Sequence, residues 1–527
     1  MAEAVALSAG VFLRPAEFGD FAEVRLSKTQ ATEIARETLS SRGADPEGWR
    51  TAVQFAPNFG PATFEYVRRL EGQEAANEAV RRYTNYAIWV VRFFRPRDPE
   101  EYRVYVNQEG AACRVDHILD EKAAGAKLGP AAARALAEEY LDRRGIPVAN
   151  YRLVDGRAEE RENRVDHAFV WELEGVKIGE ATARISAQVI GDEVSAFRRF
   201  LRLPETWLRE FTRPQLRSYI LPSLAGAFGL PLLIVFVRRL GSRGDDGRRF
   251  HWKVYTWVTG AVALAALLST ANRWSSAFAV YDTAQPIENF IGQWILERFV
   301  LTLLTALGTF LLVLAADIFL QMAAGARPIR RASLVRAAAV ATLLWGVFQA
   351  LAAAHQAIPG DRLALSLWQL TDPDTALPGV SVLIQSLLGV VTLLGPVIIV
   401  SAAVARYLRN RTGYALVAAT VLLAALSRAT NVWQWSFGVL EGALLLGLAI
   451  LLLRTCAVDL VSYAVAIFWL EAVSRSADLI RQPEPFLRWN GILALAAGLA
   501  AGVAAVLAWR AGGPGELPAD PGQPPRG

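Results

Sequence analysis

The pattern of apolar and polar positions divides this chain near residue 215. From Ser218 to Trp509, apolar runs of about 15 to 29 residues alternate with short polar joints. The first, Ser218 to Val237, lies between Arg217 and Arg238 and contains no charge. A bilayer core requires roughly 20 such residues as a helix. The later runs are Val254 to Ala271, Phe299 to Leu320, Ala337 to Ala354, Leu377 to Ala405, Gly413 to Ser427, Trp435 to Leu453, Ala457 to Val473 and Gly491 to Trp509. They predict a polytopic all-α transmembrane bundle of about nine helices over 213–510. The run from Gly413, only 15 residues long, is short enough to be tilted or re-entrant.

Before the boundary the chain is charge-rich and repeats itself. With an offset of 102, Ala31, Ala35, Leu39, Arg42, Gly43, Trp49 and Arg50 fall on Ala133, Ala137, Leu141, Arg144, Gly145, Tyr151 and Arg152. Helical spacing before a glycine stop predicts a helix with a small-residue face over 28–44 and again over 130–146. Strands follow each helix. The first copy continues into Tyr86 to Phe94, Tyr102 to Val106 and, past the turn Asn107 to Gly110, Ala111 to His117. The second continues into His167 to Leu173, Ala181 to Val189 and, past Gly191-Asp192, Glu193 to Phe200. The predicted fold class is therefore an N-terminal α+β domain of two helix-plus-antiparallel-hairpin repeats, 28–127 and 128–212, followed by the helical bundle.

Composition changes this picture little, because 53% hydrophobic residues and a mean hydropathy of +0.26 average two unlike halves. The net charge of +5 gives no reason to expect a nucleic-acid partner. The excess arginine lies in joints such as Arg238 to Arg249, Arg327 to Arg336 and Arg406 to Arg411, where it orients a membrane protein. Under the positive-inside rule these joints are cytoplasmic, so the expected partner is the lipid bilayer and the soluble half lies outside, with the C-terminus inside. Arg475, Arg481 and Arg488, in a nominally outside loop, pull against that last placement. Cys113 and Cys456 make no disulfide framework. Ala2 to Leu13, in the segment 1–27, is apolar but too short to span, and reads as the remnant of a membrane helix or as disorder. The Pro- and Gly-rich tail 511–527 is expected to be disordered.

A helix followed by a small antiparallel sheet, twice over, resembles the PepSY-type module that bacteria place outside the membrane. The resemblance implies binding or restraint of a protein or peptide partner, not catalysis. From Leu377 onward the order of features resembles the CPBP family of CAAX-protease and bacteriocin-processing intramembrane metalloproteases. Gly395 to Arg411 resembles the family's first motif helix, Glu441-Gly442 through Leu453-Arg454 the glycine-spaced helix leading to the last, and Asp459 to Val473 stands in the last one's place. The family's E-E-x-x-x-R, F-x-x-x-H and final His are missing. Val400 to Arg409 has no glutamate, no His follows His355, and Glu471 to Arg475 reads E-x-x-x-R with Leu470 in place of the first Glu. Water activation on zinc needs about three protein ligands and a base, so the scaffold resembles the family without its catalytic set.

Few residues carry chemistry beyond this. The tetrad R-V-D-H occurs as Arg114 to His117 and as Arg164 to His167, making Asp116, His117, Asp166 and His167 the candidate metal ligands. Ionisable residues within spans are functional candidates by default. Here these are Asp317, Asp459 and the group Arg428, Asn431 and Glu441 as a binding set, with Glu441, Glu471 and Arg475 as the catalytic candidates. Three readings follow. One is a catalytically degenerate CPBP-like protein of the bacterial cytoplasmic membrane that binds, senses or scaffolds, without a cofactor. Another is an active metalloprotease using zinc through unfamiliar ligands such as His117 and His167. The third is a transporter component, although no inverted repeat is visible. No G-x-x-x-x-G-K-[ST] motif supports nucleotide-driven work.

Overall fold

The computed structural model describes residues 23–57, 60–86, 88–212, 219–241, 250–324, 346–347, 350–351, 370–407, 411–426, 432–455 and 460–511. The sequence repeat folds as a structural repeat. Helix α1 (Lys28–Ser40) begins with a capping box in which the side chains of Ser27 and Gln30 each accept the other's backbone N–H. It buries Ala31, Ala35 and Leu39, and the chain reverses at Gly43 with φ +80°. Its counterpart α4 (Pro130–Arg143) buries Ala133, Ala137 and Leu141 and reverses at Gly145 with φ +73°. The small side chains let each helix lie close on its sheet, and the positive φ is one that glycine adopts without steric cost.

Each module carries a four-stranded antiparallel sheet in sequential order. The first contains β1 (Arg50–Phe55), β2 (Trp89–Phe94), β3 (Glu101–Val106) and β4 (Ala112–Ile118). The second contains β5 (Tyr151–Glu160), β6 (Val165–Ile178), β7 (Ala181–Ile190) and β8 (Glu193–Arg202). The three strands predicted per copy are present. β1 and β5 were not predicted, although each starts beside the aligned aromatic-Arg pair. β5 is exposed along most of its length, so its Arg152, Asp155, Arg157, Glu159 and Glu160 hide the alternation that marks a half-buried strand. The first copy also carries a helix pair, α2 (Pro61–Glu71) and α3 (Gln73–Tyr83), between β1 and β2, where the second has only a tight turn. The sheets meet at β4 and β8, which leaves β1 and β5 as the two outer edges.

Beyond a short helix α5 (Glu205–Thr212) come α6 (Ile220–Gly241), α7 (Trp252–Asn272), α8 (Trp274–Ala277), α9 (Ile287–Ala324), α10 (Pro378–Tyr407), α11 (Arg411–Leu426), α12 (Val432–Thr455), α13 (Leu460–Ile480) and α14 (Pro485–Ala511). Among the described residues three helical stretches, Trp252–Asn272, Ile287–Phe319 and Pro378–Val400, are long and apolar enough to cross a membrane. The predicted span Ala337 to Ala354 lies mostly outside the described residues. Phe236, Tyr255, Leu314, Ile318, Phe319, Ala402 and Ala403 gather the ends of α6, α7, α9 and α10 that lie away from the soluble half. Glycines permit close helix approach: a Cβ on Gly395 would stand 2.6 Å from Leu312, and one on Gly491 2.9 Å from the Ser476 carbonyl.

The first module is seated on the loops at the other end of this bundle. Its core is continuous with Leu370, Val382, Leu479, Leu487 and Ala494. Lys28 Nζ donates to the Asp374 carbonyl (3.0 Å) and to Ser275 Oγ (2.9 Å). The Val24 N–H donates to Gln482 Oε1 (3.0 Å), and the Val24 carbonyl accepts from the Glu484 N–H (3.1 Å). Buried Arg92 donates to the carbonyls of Phe278 (3.1 Å) and Tyr281 (2.6 Å) while paired with buried Glu101. Tyr281, Ile287 and Phe290 cover Ala52 of β1 and Phe94. Loops 273–286, 370–377 and 481–484 therefore share one side of the bundle with the soluble half, including the joint beside Arg481 and Arg488.

Candidate functional site

The second module holds a sizeable concavity. The groove, of about 730 Å³, runs between α4 and β5. Pro130, Ala131, Arg134, Ala135 and Glu138 form the helix wall, Leu153, Gly156, Arg157 and Ala158 the strand wall, and His167 and Phe169 of β6 the floor. Strand periodicity sets the floor: His167, Phe169 and Trp171 are alternate residues and share one face. The His167 and Phe169 rings lie nearly parallel at 3°, with centroids 5.9 Å apart. Register places Gly156 opposite Phe169 and Ala158 opposite His167, so the strand wall is low above both rings. Glu138 Oε1 accepts from Arg134 Nε (2.7 Å) and from Trp171 Nε1 (3.2 Å), which fixes the polar end of the wall.

His167 is 2% exposed. Its Nε2 is 2.8 Å from the Leu128 carbonyl, a contact that requires this nitrogen to carry the proton. Nδ1, left as an acceptor when the ring is neutral, is buried with no hydrogen-bond partner. Buried polar groups are overwhelmingly partnered, and an orphan calls for a specific reason.

His117 sits in a different environment. Nδ1 is 2.8 Å from Glu193 Oε2 and Nε2 is 3.0 Å from Glu100 Oε1, while the ring stacks on Tyr102 at 4.0 Å. Glu100 belongs to the first module, where Arg95 also holds it at 2.9 Å, and Glu193 belongs to the second. Burial alone lowers the pKa of His117, but the hydrogen bonds and charges of Glu193 and Glu100 outweigh it and hold the pKa above its ordinary value. The residue is a clamp across the module junction. Arg144 Nη1, donating to the Ala112 carbonyl at 2.9 Å, and Asn85, bonded to both the Cys113 carbonyl and the Arg199 N–H, reinforce it.

The R-V-D-H tetrads thus share local physics and differ in surroundings. In each, Arg and Asp at i and i+2 on one strand pair with each other: Arg114 Nε to Asp116 Oδ1 at 2.7 Å, and Arg164 Nε to Asp166 Oδ1 at 2.8 Å. Each adjacent His turns to the opposite face. The fold does not bring His117 and His167 to a common partner, and among the described residues no group of three His, Cys, Asp or Glu side chains is placed to hold a metal ion.

In the helical half, Glu471 and Arg475 pair with each other one turn apart on α13 at 2.9 Å, and the Glu471 carboxyl packs over Gly389 of α10. Glu441 lies partly buried on α12. Arg428, Asn431 and Asp459 lie outside the described residues, so the predicted binding set cannot be assembled around Glu441. Asp317 of α9 accepts from Tyr255 Oη of α7 and lies 3.0 Å from His251 Nδ1. That cluster ties two helices at the end away from the soluble half; sequence reading found Asp317 but not its partners, which are more than 60 positions away.

At the seated interface burial pushes Lys28 down and Asp374 up in pKa, with their mutual attraction the smaller effect. Sequence reading missed the groove because the space in it is opened by Ala131, Ala135, Gly156 and Ala158, whose signal is the absence of bulk. Comparison of the chain with family models, with characterised proteins and with solved structures finds no match.

Proposed function

We propose that this chain is a membrane-embedded binding protein. In this reading it resembles the CPBP intramembrane proteases in helical scaffold without their catalysis, and it presents its second PepSY-like module to a protein or peptide partner. The bundle crosses the bacterial cytoplasmic membrane, the soluble half faces outward and the C-terminus lies in the cytoplasm. One observation carries the reading. Hydrogen bonds from Val24, just before the first module, and from Lys28, Phe55, Arg92 and Arg97 within it join the soluble half to the bundle, while the second module keeps a separate core beneath α4 and an open groove. A module fixed to the bundle and a module fastened to the first, with its far edge open, divide anchoring from recognition.

The measurement that decides between binding and proteolysis uses one sample for both. The protein in lipid nanodiscs is incubated with a degenerate peptide library; retained peptides are counted by mass spectrometry and new termini are sought in the same spectra. Retention without cleavage is expected. New termini that vanish in a His117→Ala, His167→Ala double variant would instead establish the protease reading.

A further inference from the structure

Three features of the second module go beyond what holding it together requires. The first is Gly156. A glycine inside a strand weakens it and is kept where φ is positive, where a neighbour leaves no room, or where something approaches closely. Gly156 is not a positive-φ glycine, and a Cβ there would meet the Phe169 ring at 3.4 Å, ordinary contact. Neither backbone nor packing demands it; what it does is lower the strand wall above Phe169.

The second is His167, buried with Nδ1 unpartnered in the floor of the same groove. The third is β5 itself. Of the two outer edges of the paired sheets, β1 is covered by the loop around Tyr281, whereas β5 is exposed along most of its length. An outer strand edge offers a row of backbone N–H and C=O groups.

We propose that the groove between α4 and β5 takes an extended peptide, which adds to the β5 edge as a further strand and seats one bulky apolar side chain above Phe169 and His167. Main-chain hydrogen bonds supply affinity in this mode, and pockets for alternate side chains supply selectivity. The volume of about 730 Å³ suits it, since ligand pockets run from roughly 300 to 1,000 Å³. Charge selects the same occupant. The rim carries Arg134 beside Glu138 (2.7 Å) and Arg157 beside Asp155 (3.1 Å), balanced pairs that give a polyanion no net attraction and leave a neutral backbone unopposed. Ala131 and Ala135 leave the helix wall equally low. The proposal rests on the binding function above and names its ligand.

The test uses the full chain in nanodiscs and capped peptides carrying one central p-benzoylphenylalanine flanked by Gly and Ser. The control peptides have Pro on both sides of the probe, which removes the backbone donors. Photocrosslinks are mapped by mass spectrometry for the native chain, for Gly156→Val and for Ala135→Phe. Valine suits a strand and its Cβ meets only ordinary contacts, so Gly156→Val is expected to fold; unchanged hydrogen exchange in β6 and β7 verifies it. Saturable crosslinks within 131–169, reduced at least tenfold by either substitution and by the Pro flanks, are expected. Crosslinks elsewhere on the module, indifferent to both substitutions, would overturn the groove and leave the binding function standing. No saturable crosslink at all would overturn both. Concentration-dependent dimers abolished by Gly156→Val, with no peptide crosslink, would make a second copy of this chain the occupant and overturn the peptide proposal.

Discussion

The two modules descend from one sequence pattern and have opposite relations to the rest of the molecule. Each uses an Ala-Ala-Leu helix face on a four-stranded antiparallel sheet. The first continues its core into Leu370, Val382 and Leu479 and inserts Arg92 among loop carbonyls; the second keeps a separate core beneath α4 and joins the first module's core through Ile178, Ala181, Ala183, Leu201 and Leu203. The contrast teaches that a repeat fixes what lies inside each unit, whereas what lies between units is set by substitutions at the edges. The first copy has an edge strand that meets a loop and a helix pair inserted beside it. The second has a charged edge strand exposed along most of its length, and a groove.

The largest effect that can break this comparison comes from Arg92. Arg92→Ala leaves Glu101 buried with only Arg103, at 2.5 Å, to compensate it and strips the donors from the Phe278 and Tyr281 carbonyls. A loss of about 3 kcal/mol is expected, in line with breaking one side of a buried pair. Hydrogen exchange should show β1 and β2 opening together with loop 273–286 while β5 to β7 keep their protection. Uniform opening of both modules would mean that the second is anchored too.

The equivalent leucines sharpen the contrast. Leu39→Ala and Leu141→Ala each remove a side chain at most 1% exposed and should each cost about 2–4 kcal/mol. The local cost is similar but its reach is not. Leu39→Ala should weaken protection in the loops that meet the first module, whereas Leu141→Ala should confine its effect to α4 and β6 to β8. Calorimetry and residue-resolved exchange distinguish the two.

The smallest effect lies at the junction. The folded pKa of His117 is raised, so the stability this clamp contributes is fully present below the ordinary imidazole value, about 6.5, and is lost as pH rises through the raised value. Because Glu100 and Glu193 reach solvent, the contribution should be about 1 kcal/mol or less. Cys113 reports it. Burial lifts this thiol to about 11, and its Sγ lies 3.5 Å from the Tyr86 carbonyl and 3.4 Å from that of Tyr105, so it should react slowly with maleimide while the junction is closed. In a Cys456→Ala background, labelling corrected for thiolate fraction should accelerate as pH rises past His117, and His117→Gln should remove that step. A pH profile unchanged by His117→Gln would assign the junction to Asn85 and Arg144 instead.

What the sequence by itself determined is local: the two helix faces, the stops at Gly43 and Gly145, six of the eight strands, the Asn107 to Gly110 turn, and the apolar stretches from which the long helices form. These follow from periodicity and backbone preference, which act within a few residues. Tertiary structure decided the rest. It placed His117 between carboxylates from two modules, His167 with one nitrogen unpaired, Asp317 beside His251 and Tyr255, and Glu471 on Gly389. It also decided which repeat is seated on the bundle and which is left with an open edge. The physical reason is that a side chain's charge state and reach depend on groups distant in sequence, and a groove is made of small residues whose meaning lies in the space they leave.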